Sequence, residues 1–499
     1  MNFINRVFHL TEKNTNTKNE LLGGLLTFVA MVYILPTNAY IMSSMGMDRS
    51  GVFAITALVS ALVTYIMSLV ANYPIALSTG MGLNAYLVYT VSSQMGYSWQ
   101  QSLILLSISG IIFFILSITS VRKKIIEAMP KDLRYIISAC LGIFILFVGL
   151  RGSGIIVSDP AGTIVKLGTF ADPGMFIGLA CTILAIRITF SKHKLVSSLA
   201  IPIAVLSAAV VGLITSSIMI ATKTIINVGD TWVYNTGFEF IDKCTVNLPI
   251  GPWYTNAKFG MEGVDKVFFF GMFDQSLKGT ADAYSMSKFG NDILVVLKQP
   301  TTYVALFSLV FVNIFDTTAT ILALGNKVGA IDDEGRMVNY HKTILADSTG
   351  ALICAPLGTS MVTSFAESNV GVSMGARTGL SSFVTASLFL LCAFTYPVFS
   401  IFTAGSVTCA ALVNVGVIII VGAVININKK DLIACYTAVI AMLFSLLTYS
   451  ISNGIGIGII VYCLSMITAR RAKEVRIPVY IIGALYVASF ICSTVVNFF

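Results

Sequence analysis

The stretch CAPLGTSMVTSFAESNVGV, residues 354–372, determines how this chain must fold. It is apolar enough to enter a membrane, yet Pro356 and Gly358 disfavour a regular helix at its start. Backbone groups freed by such a break find no partners in lipid, so the segment must line a cavity or lie buried in protein. The break is followed by small polar residues and one acid: Thr359, Ser360, Thr363, Ser364 and Glu367.

A second stretch, NYPIALSTGMGLNAYLVYT at residues 72–90, has the same order of residue types. If short helices begin in both stretches and point toward each other, their first N–H groups face one polar ligand. Interrupted segments at matching positions in two halves are the best sequence pointer to a transporter binding site. The interruption here consists of Pro74, Ser78, Thr79, Gly80 and Gly82, and Asn84 follows it.

The composition predicts an all-α polytopic membrane protein, because 56% of residues are hydrophobic, 11% are charged and the mean hydropathy is +0.87. One span needs about 20 apolar residues, and about fourteen such runs follow one another. The net charge of +8 comes from basic clusters in short loops that the positive-inside rule assigns to the cytoplasm. We therefore expect a plasma-membrane protein with a cytoplasmic N-terminus and no nucleic-acid partner.

A long polar stretch divides the chain into halves of about seven spans, and an odd number inverts one half relative to the other. The run 378–402 is predicted as a span, whereas 476–496 either crosses the membrane or forms a re-entrant or interfacial segment. The predicted domains are a cytosolic segment at 1–19, a first seven-span repeat at 20–220, a long extracytoplasmic loop at 221–300, a second repeat at 301–470 and a C-terminal segment at 471–499.

Two acids lie within apolar stretches, Asp316 and Glu367. A charge near the bilayer centre costs about 2.5–3.5 kcal/mol on insertion scales, so such acids usually mark a substrate, ion or proton path. The alternative for Glu367 is a cap on its own broken segment. Asp347 lies closer to a charged loop, where we expect it to be solvated or interfacial. One helical stripe is predicted to be either a cavity lining or a hydrogen-bonding seam, and it comprises Asn313, Asp316, Thr317 and Thr320.

Burial favours the neutral form of a carboxyl group, so these two acids can exchange protons near neutral pH. The three histidines lie in predicted cytoplasmic segments, which leaves proton handling to the carboxylates. No Walker A motif is present, and the nine cysteines lack metal-site spacing, so we expect no ATP hydrolysis, metal or cofactor. A membrane-embedded hydrolase would need a nucleophile–base pair that the sequence does not offer, and broken helices suit alternating access better than a passive channel.

Five ordered blocks of the sequence are distinctive. They are ELLGGLLTFVAMVYIL (20–35), ANYPIALSTGMGLNAYLVYTV (71–91), NIFDTTATI (313–321), LADSTGALICAPLGTSMVTSFAESNVGVSMGARTGL (345–380) and LTYSISNGIGIGI (447–459). These blocks resemble the nucleobase/ascorbate (xanthine and uracil permease) family, in its guanine/hypoxanthine permease branch of azaguanine-resistance type, and the resemblance covers nearly the whole chain. It implies fourteen spans in two inverted seven-span repeats, with short broken third and tenth spans and a core domain that moves against a gate domain.

The resemblance also implies that substrate binds between the third and tenth spans and contacts acids of the eighth and tenth. By motif these acids are Asp316 and Glu367, which are also the expected proton-coupling residues. Ala319 stands where the branch usually has glycine, and Phe365 and Asn369 alter the surroundings of Glu367, which leaves the exact base preference open. Together the residues and the resemblance give this candidate substrate-binding set: Glu367, Asp316, Ala366, Phe365, Gly82, Leu83, Asn84, Thr363, Ser364, Thr320 and Phe28.

The expected function is secondary active import of purine nucleobases, namely hypoxanthine, guanine or adenine, by proton symport and alternating access. The alternatives are a uracil or xanthine carrier and a small-anion carrier on the same fold. Thr320 stands where the uracil branch has a histidine, which favours purines, and the acidic pair disfavours anions. The expected partners are the purine, a coupling proton or sodium ion and the lipid bilayer, and a homodimer is left open.

Overall fold

A computed structural model of the chain describes residues 3–119, 121–122, 129–159, 165–170, 172–228, 231–234, 260–261, 264–267, 286–330 and 338–498. Within these residues the fold is mostly helical, with short two-stranded pairings. The helices of the first half are α1 (Phe3–Phe8), α2 (Thr17–Met31), α3 (Ile34–Ser43), α4 (Arg49–Ile66), α5 (Met81–Ala85), α6 (Trp99–Ile118), α7 (Lys131–Gly152), α8 (Pro173–Thr189), α9 (Lys194–Ser198) and α10 (Ala200–Ala221).

The second half continues the same pattern. Its helices are α11 (Val264–Val267), α12 (Met286–Lys298), α13 (Pro300–Lys327), α14 (Tyr340–Leu357), α15 (Ser368–Ser373), α16 (Gly379–Cys392), α17 (Tyr396–Phe399), α18 (Gly405–Asn426), α19 (Leu432–Leu447), α20 (Ile451–Thr468) and α21 (Ile477–Phe498). The strands are β1 (Leu77–Thr79), β2 (Ile156–Ser158), β3 (Val165–Leu167), β4 (Ile225–Val228), β5 (Thr231–Tyr234) and β6 (Val362–Ser364), and they pair as β1–β6, β2–β3 and β4–β5.

Eight helices of the described residues are long and apolar enough to cross a membrane. Shorter apolar helices, α14 and the two broken segments occupy the remaining predicted spans. The α4 and α5 helices pass into π-helical turns at Met67–Ala71 and Tyr86–Gln94. The third and tenth spans are interrupted as the sequence predicted, but each enters its short helix through a strand, which the all-α prediction did not include.

The eleventh span, predicted for 378–402, is not a single continuous helix. Helix α16 ends at Cys392, and the chain resumes as Tyr396–Thr403 after a bend of 94°. Pro397 accounts for the break, because proline lacks the backbone N–H that would continue the helical hydrogen bonds to Ala393, four residues earlier. It stands in the first turn of α17, where proline is tolerated. Hydropathy alone does not reveal the bend, since both pieces are apolar.

The helices pack in two groups. Helices α2, α3, α4, α6, α13, α14, α15 and α16 contact one another, and α7, α8, α10, α18, α19 and α20 form the second group. In the second group α7 and α18 approach closely at Gly142 and Gly416. A Cβ on Gly416 would lie 2.6 Å from the Gly142 carbonyl oxygen, so neither position has room for a side chain. Small residues allow such close helix contact in membranes.

Two open points of the sequence receive partial answers. The run 476–496 forms α21, which packs on α20 and α13 and places the Tyr486 hydroxyl 3.1 Å from Ser308 Oγ. Of the stretch 221–300, the structure describes only β4, β5, α11, α12 and a few neighbouring residues, and the rest lies outside the described residues. The extracytoplasmic assignment of that loop therefore stays a prediction, as do the predicted domain boundaries.

Candidate functional site

The two broken segments meet through their strands. β1 and β6 pair antiparallel, with Leu77 opposite Ser364 and Thr79 opposite Val362. Just past β1, the Gly80 N–H donates to the carbonyl of Met361 at 2.9 Å. These bonds satisfy backbone groups that would otherwise be unpaired inside the membrane. The crossing therefore fixes where the short helices α5 and α15 begin.

A cavity of ≈ 180 Å³ lies at this crossing. Its polar wall comes from the two broken segments and α13, and its apolar wall comes from α7, α10 and α18 of the second helix group. The lining residues are Gly80, Met81, Gly82, Leu141, Ile145, Ile201, Asp316, Thr320, Thr363, Ser364, Phe365, Ala366, Glu367, Val415, Ile418 and Ile419.

Glu367 is half-buried on this wall, directly before α15. The alternative role considered for it, a side-chain cap on its own segment, is not the arrangement seen, because the N-cap position makes no side-chain cap bond. Instead, the Tyr33 hydroxyl donates to Glu367 Oε1 at 2.8 Å. Charge-assisted hydrogen bonds of this kind are stronger than neutral ones. The Glu367 carboxyl group is thus held by a residue of the first span.

Asp316 and Thr320 reach the same cavity from α13 and are also half-buried. They lie one helical turn apart, so both side chains face the same way. The structure thus places both intramembrane acids on one cavity. Thr363, Ser364, Phe365, Ala366 and Gly82 also line it, and Ala366 is exposed to it.

The predicted polar stripe of α13 divides between two surroundings. Asn313 and Thr317 are fully buried and lie outside the cavity lining. Thr317 accepts a hydrogen bond of 2.5 Å from the guanidinium of Arg122, which also donates to Thr318 at 3.1 Å. Residues three positions apart on a helix differ by about 60° in direction, so the pair Asn313 and Thr317 and the pair Asp316 and Thr320 face adjacent but different surroundings. The stripe is therefore a cavity lining on one side and a hydrogen-bonding seam on the other.

The prediction for Asp347 was wrong, since this residue is 0% exposed rather than solvated. Its Oδ1 accepts a hydrogen bond of 2.8 Å from the hydroxyl of Ser364 in β6. Arg122, 2% exposed, is the opposite charge with which it interacts. The prediction considered only how close Asp347 lies to a charged loop along the chain. In the fold, helix α14 directs Asp347 toward the strand crossing, where it bonds Ser364.

Three predicted residues lie outside the cavity lining. Leu83 is buried in α5, and Phe28 packs edge-on against Phe389 with ring centroids 5.4 Å apart. Asn84 donates to Asn38 Oδ1 at 2.5 Å and accepts from the Ser360 hydroxyl. These side chains pack within the first helix group, and Asn84 ties the third span to the first and to the tenth.

Sequence reasoning did not identify the apolar wall of the cavity or Tyr33. Leu141, Ile145, Ile201 and Val415 come from regular apolar helices, where a cavity-facing residue has the same composition as a lipid-facing one. Tyr33 carries a weak signal, because it is an aromatic residue with a polar tip inside an apolar run. Its contact with Glu367 spans most of the chain, and no local pattern indicates such a contact.

No group of three or more His, Cys, Asp or Glu side chains that would suit a metal ion occurs among the described residues. The polar side chains of the cavity lining are the carboxyl groups of Asp316 and Glu367 and the hydroxyls of Thr320, Thr363 and Ser364. Such groups bind a small molecule that both donates and accepts hydrogen bonds.

Comparison with known proteins agrees with this architecture. The model of the xanthine/uracil permease family, described as a permease family, matches residues 18–443. The chain is 33% identical to the guanine/hypoxanthine permease PbuG of Bacillus subtilis (strain 168), over 97% of this chain and 98% of that protein. It is 30% identical to the adenine permease AdeP of Escherichia coli (strain K12), over 98% of this chain and 96% of that protein.

Among solved structures, the fold is similar to the transmembrane domain of a cyanobacterium bicarbonate transporter, BicA. The TM-score is 0.55 at 12% sequence identity, covering 90% of this chain and 98% of that chain. An identity this low shows the fold alone. The chain belongs to the xanthine/uracil permease family, and it is a multi-pass membrane protein with the fold of two inverted seven-span repeats.

Proposed function

We propose that this protein imports purine nucleobases, namely hypoxanthine, guanine or adenine, across the plasma membrane by proton symport and alternating access. The observation that carries the proposal is that Glu367 and Asp316 line one ≈ 180 Å³ cavity at the strand crossing. Relatives named for guanine/hypoxanthine and adenine transport support a purine as the substrate.

In this proposal the broken segments bind the base by its polar edge. The carboxyl group of Glu367 accepts hydrogen bonds from ring N–H groups, and Thr363 adds a hydroxyl. The apolar wall, with Leu141 and Ile145, covers the faces of the ring. A planar base suits such a site, because apolar surface gives affinity while a few polar groups give orientation. The two carboxylates disfavour anionic substrates, since like charges would meet in a poorly hydrated cavity.

Asp316 is the second acid of the site and the better candidate for proton coupling. One bound proton neutralises one carboxylate, and a neutral purine donates hydrogen bonds to the other, so the loaded site moves through the membrane at lower cost. The cavity lies between the first helix group, which carries both acids, and the second group, which supplies the apolar wall. Relative motion of the two groups would expose the cavity to one side at a time.

The test is uptake of labelled hypoxanthine into proteoliposomes, with and without an imposed proton gradient. We expect accumulation that depends on the gradient and competition by unlabelled guanine and adenine, but not by uracil or bicarbonate. If a sodium gradient alone drove accumulation equally well, sodium would replace the proton as the coupling ion in the proposal. Competition by uracil or by anions, with none by purines, would refute purine transport on this fold.

The predicted orientation is tested separately. A cysteine at the N-terminal segment, introduced into a variant without accessible native cysteines, should react with a membrane-impermeant reagent only in inside-out vesicles. Labelling from the outside of intact cells would contradict a cytoplasmic N-terminus.

A further inference from the structure

Tyr33 lies at the junction between α2 and α3, where the first span is interrupted. Its side chain is 3% exposed, and its hydroxyl donates to Glu367 Oε1 at 2.8 Å. With Oε1 engaged in this bond, Oε2 is the oxygen left for another partner. Tyr33 therefore orients the carboxyl group of Glu367 in the tenth span.

The Tyr33 ring lines a second cavity, of ≈ 230 Å³. Its lining is almost entirely apolar and includes Val32, Pro36, Leu206 and Phe402. The hydroxyl of Tyr33 is hydrogen-bonded to Glu367, so the part of Tyr33 that lines the apolar cavity is its ring. Leu206 is 56% exposed, so this cavity opens at the surface of the protein, and its apolar lining suits apolar groups.

The two cavities are neighbours. Helix α10 supplies Ile201 to the cavity that holds the acids and supplies the adjacent Pro202 to the apolar cavity. Glu367 lines the first cavity, and its hydrogen-bond donor Tyr33 lines the second. The Tyr33–Glu367 pair is therefore part of the partition between them.

We propose that Tyr33 determines the substrate specificity of this site: its ring closes the base-binding cavity against the apolar cavity, and its hydroxyl orients Glu367. The inference rests on the proposed function, in which Glu367 binds the base. In this proposal the apolar cavity can hold the substituent of a purine that carries an apolar group, but the wild-type ring separates it from the base-binding cavity.

The two contributions of Tyr33 separate by substitution. Tyr33→Phe keeps the ring and removes the hydrogen bond to Glu367. Tyr33→Ala removes both, and joins the cavities because the buried ring is not replaced. Tyr65→Phe is the matched control, since its hydroxyl lies 2.8 Å from Ser387 Oγ within the same helix group and neither residue lines either of these two cavities.

The experiment measures labelled hypoxanthine uptake and its inhibition by 6-benzylaminopurine, with the amount of protein in the membrane quantified for each variant. For Tyr33→Phe we expect KM to rise about 2- to 12-fold, as for loss of one hydrogen bond, with the maximal rate within about twofold and the bulky purine still excluded. For Tyr33→Ala we expect inhibition by the bulky purine at concentrations at least about tenfold lower than for wild type. Tyr65→Phe should match wild type in both.

Wild-type KM in Tyr33→Phe together with unchanged exclusion in Tyr33→Ala would overturn the inference. A fall in maximal rate at constant KM would also overturn it, because that pattern indicates a role in domain motion. If Tyr33→Ala does not reach the membrane, Tyr33→Leu opens the partition partly and is judged by the same inhibition. Failure of the proposed function is recognised separately, because then wild type does not take up hypoxanthine or Glu367→Gln takes it up normally.

Discussion

The Ser364 hydroxyl donates a hydrogen bond of 2.8 Å to Oδ1 of Asp347 and joins the cavity wall to a carboxylate buried behind it. Among the described residues, none hydrogen-bonds the second oxygen of Asp347, although Asp347 is fully buried. Burial of an ionised group is costly unless an opposite charge compensates it. Arg122 supplies that charge from the far side of α13, where it also contacts Thr317.

The Arg122–Asp347 interaction predicts a non-additive mutant cycle. Arg122→Met should destabilise the purified protein by roughly 3–5 kcal/mol, because it leaves Asp347 without its opposite charge. The double variant Arg122→Met/Asp347→Asn should recover much of that loss, since no buried charge remains. Thermal unfolding in detergent measures both. If the stability lost in the double variant equals the sum of the losses in the two single variants, the two charges are independent.

Glu367→Gln should abolish purine accumulation while the protein still reaches the membrane. The amide keeps the size of the side chain, but it offers one acceptor oxygen and no exchangeable charge. Uptake of labelled hypoxanthine is the measurement. Glu474→Gln is the matched control, because Glu474 is an exposed acid that bonds Arg471 far from the cavity. Normal uptake by Glu367→Gln would contradict direct base recognition.

Asp316→Asn should reduce uptake strongly and flatten its dependence on external pH. An asparagine cannot take up a proton, so a coupling role for Asp316 would be lost while the polar lining beside Thr320 is kept. Initial uptake rates between acidic and alkaline external pH measure this. A pH profile like that of wild type in both this variant and Glu367→Gln would argue against coupling through carboxylates.

Close packing of α7 on α18 predicts a position-specific effect of added methyl groups. Gly416→Ala places a Cβ 2.6 Å from the Gly142 carbonyl oxygen and should cost roughly 1–3 kcal/mol. Gly422→Ala, in the same helix, has no heavy atom within 4 Å of the new Cβ and should leave stability unchanged or raised. Unfolding temperatures of the two variants give the comparison. Equal effects would contradict a tight contact at Gly416.

Much of the architecture follows from local chemistry that a sequence displays. Hydropathy locates spans because hydrocarbon admits only long apolar helices. Gly358 marks the break, because it ends α14 in a left-handed conformation that glycine adopts without strain, whereas Pro356 lies inside the last turn of that helix. An acid in an apolar run is informative for the same reason, since its cost does not depend on the rest of the fold. Asp316 and Glu367 were therefore recognisable as functional candidates before any contact was known.

Contacts between distant segments required the tertiary structure. The pairing of Leu77 with Ser364 and the bond from Tyr33 to Glu367 join residues hundreds of positions apart, and neither is encoded in a local period. Which face of α13 meets the cavity, and whether Asp347 meets water or protein, depend on how whole helices are rotated and packed. The sequence by itself determined which residues are costly in a membrane, and only the tertiary structure decided which partners offset that cost, because those partners come from other helices.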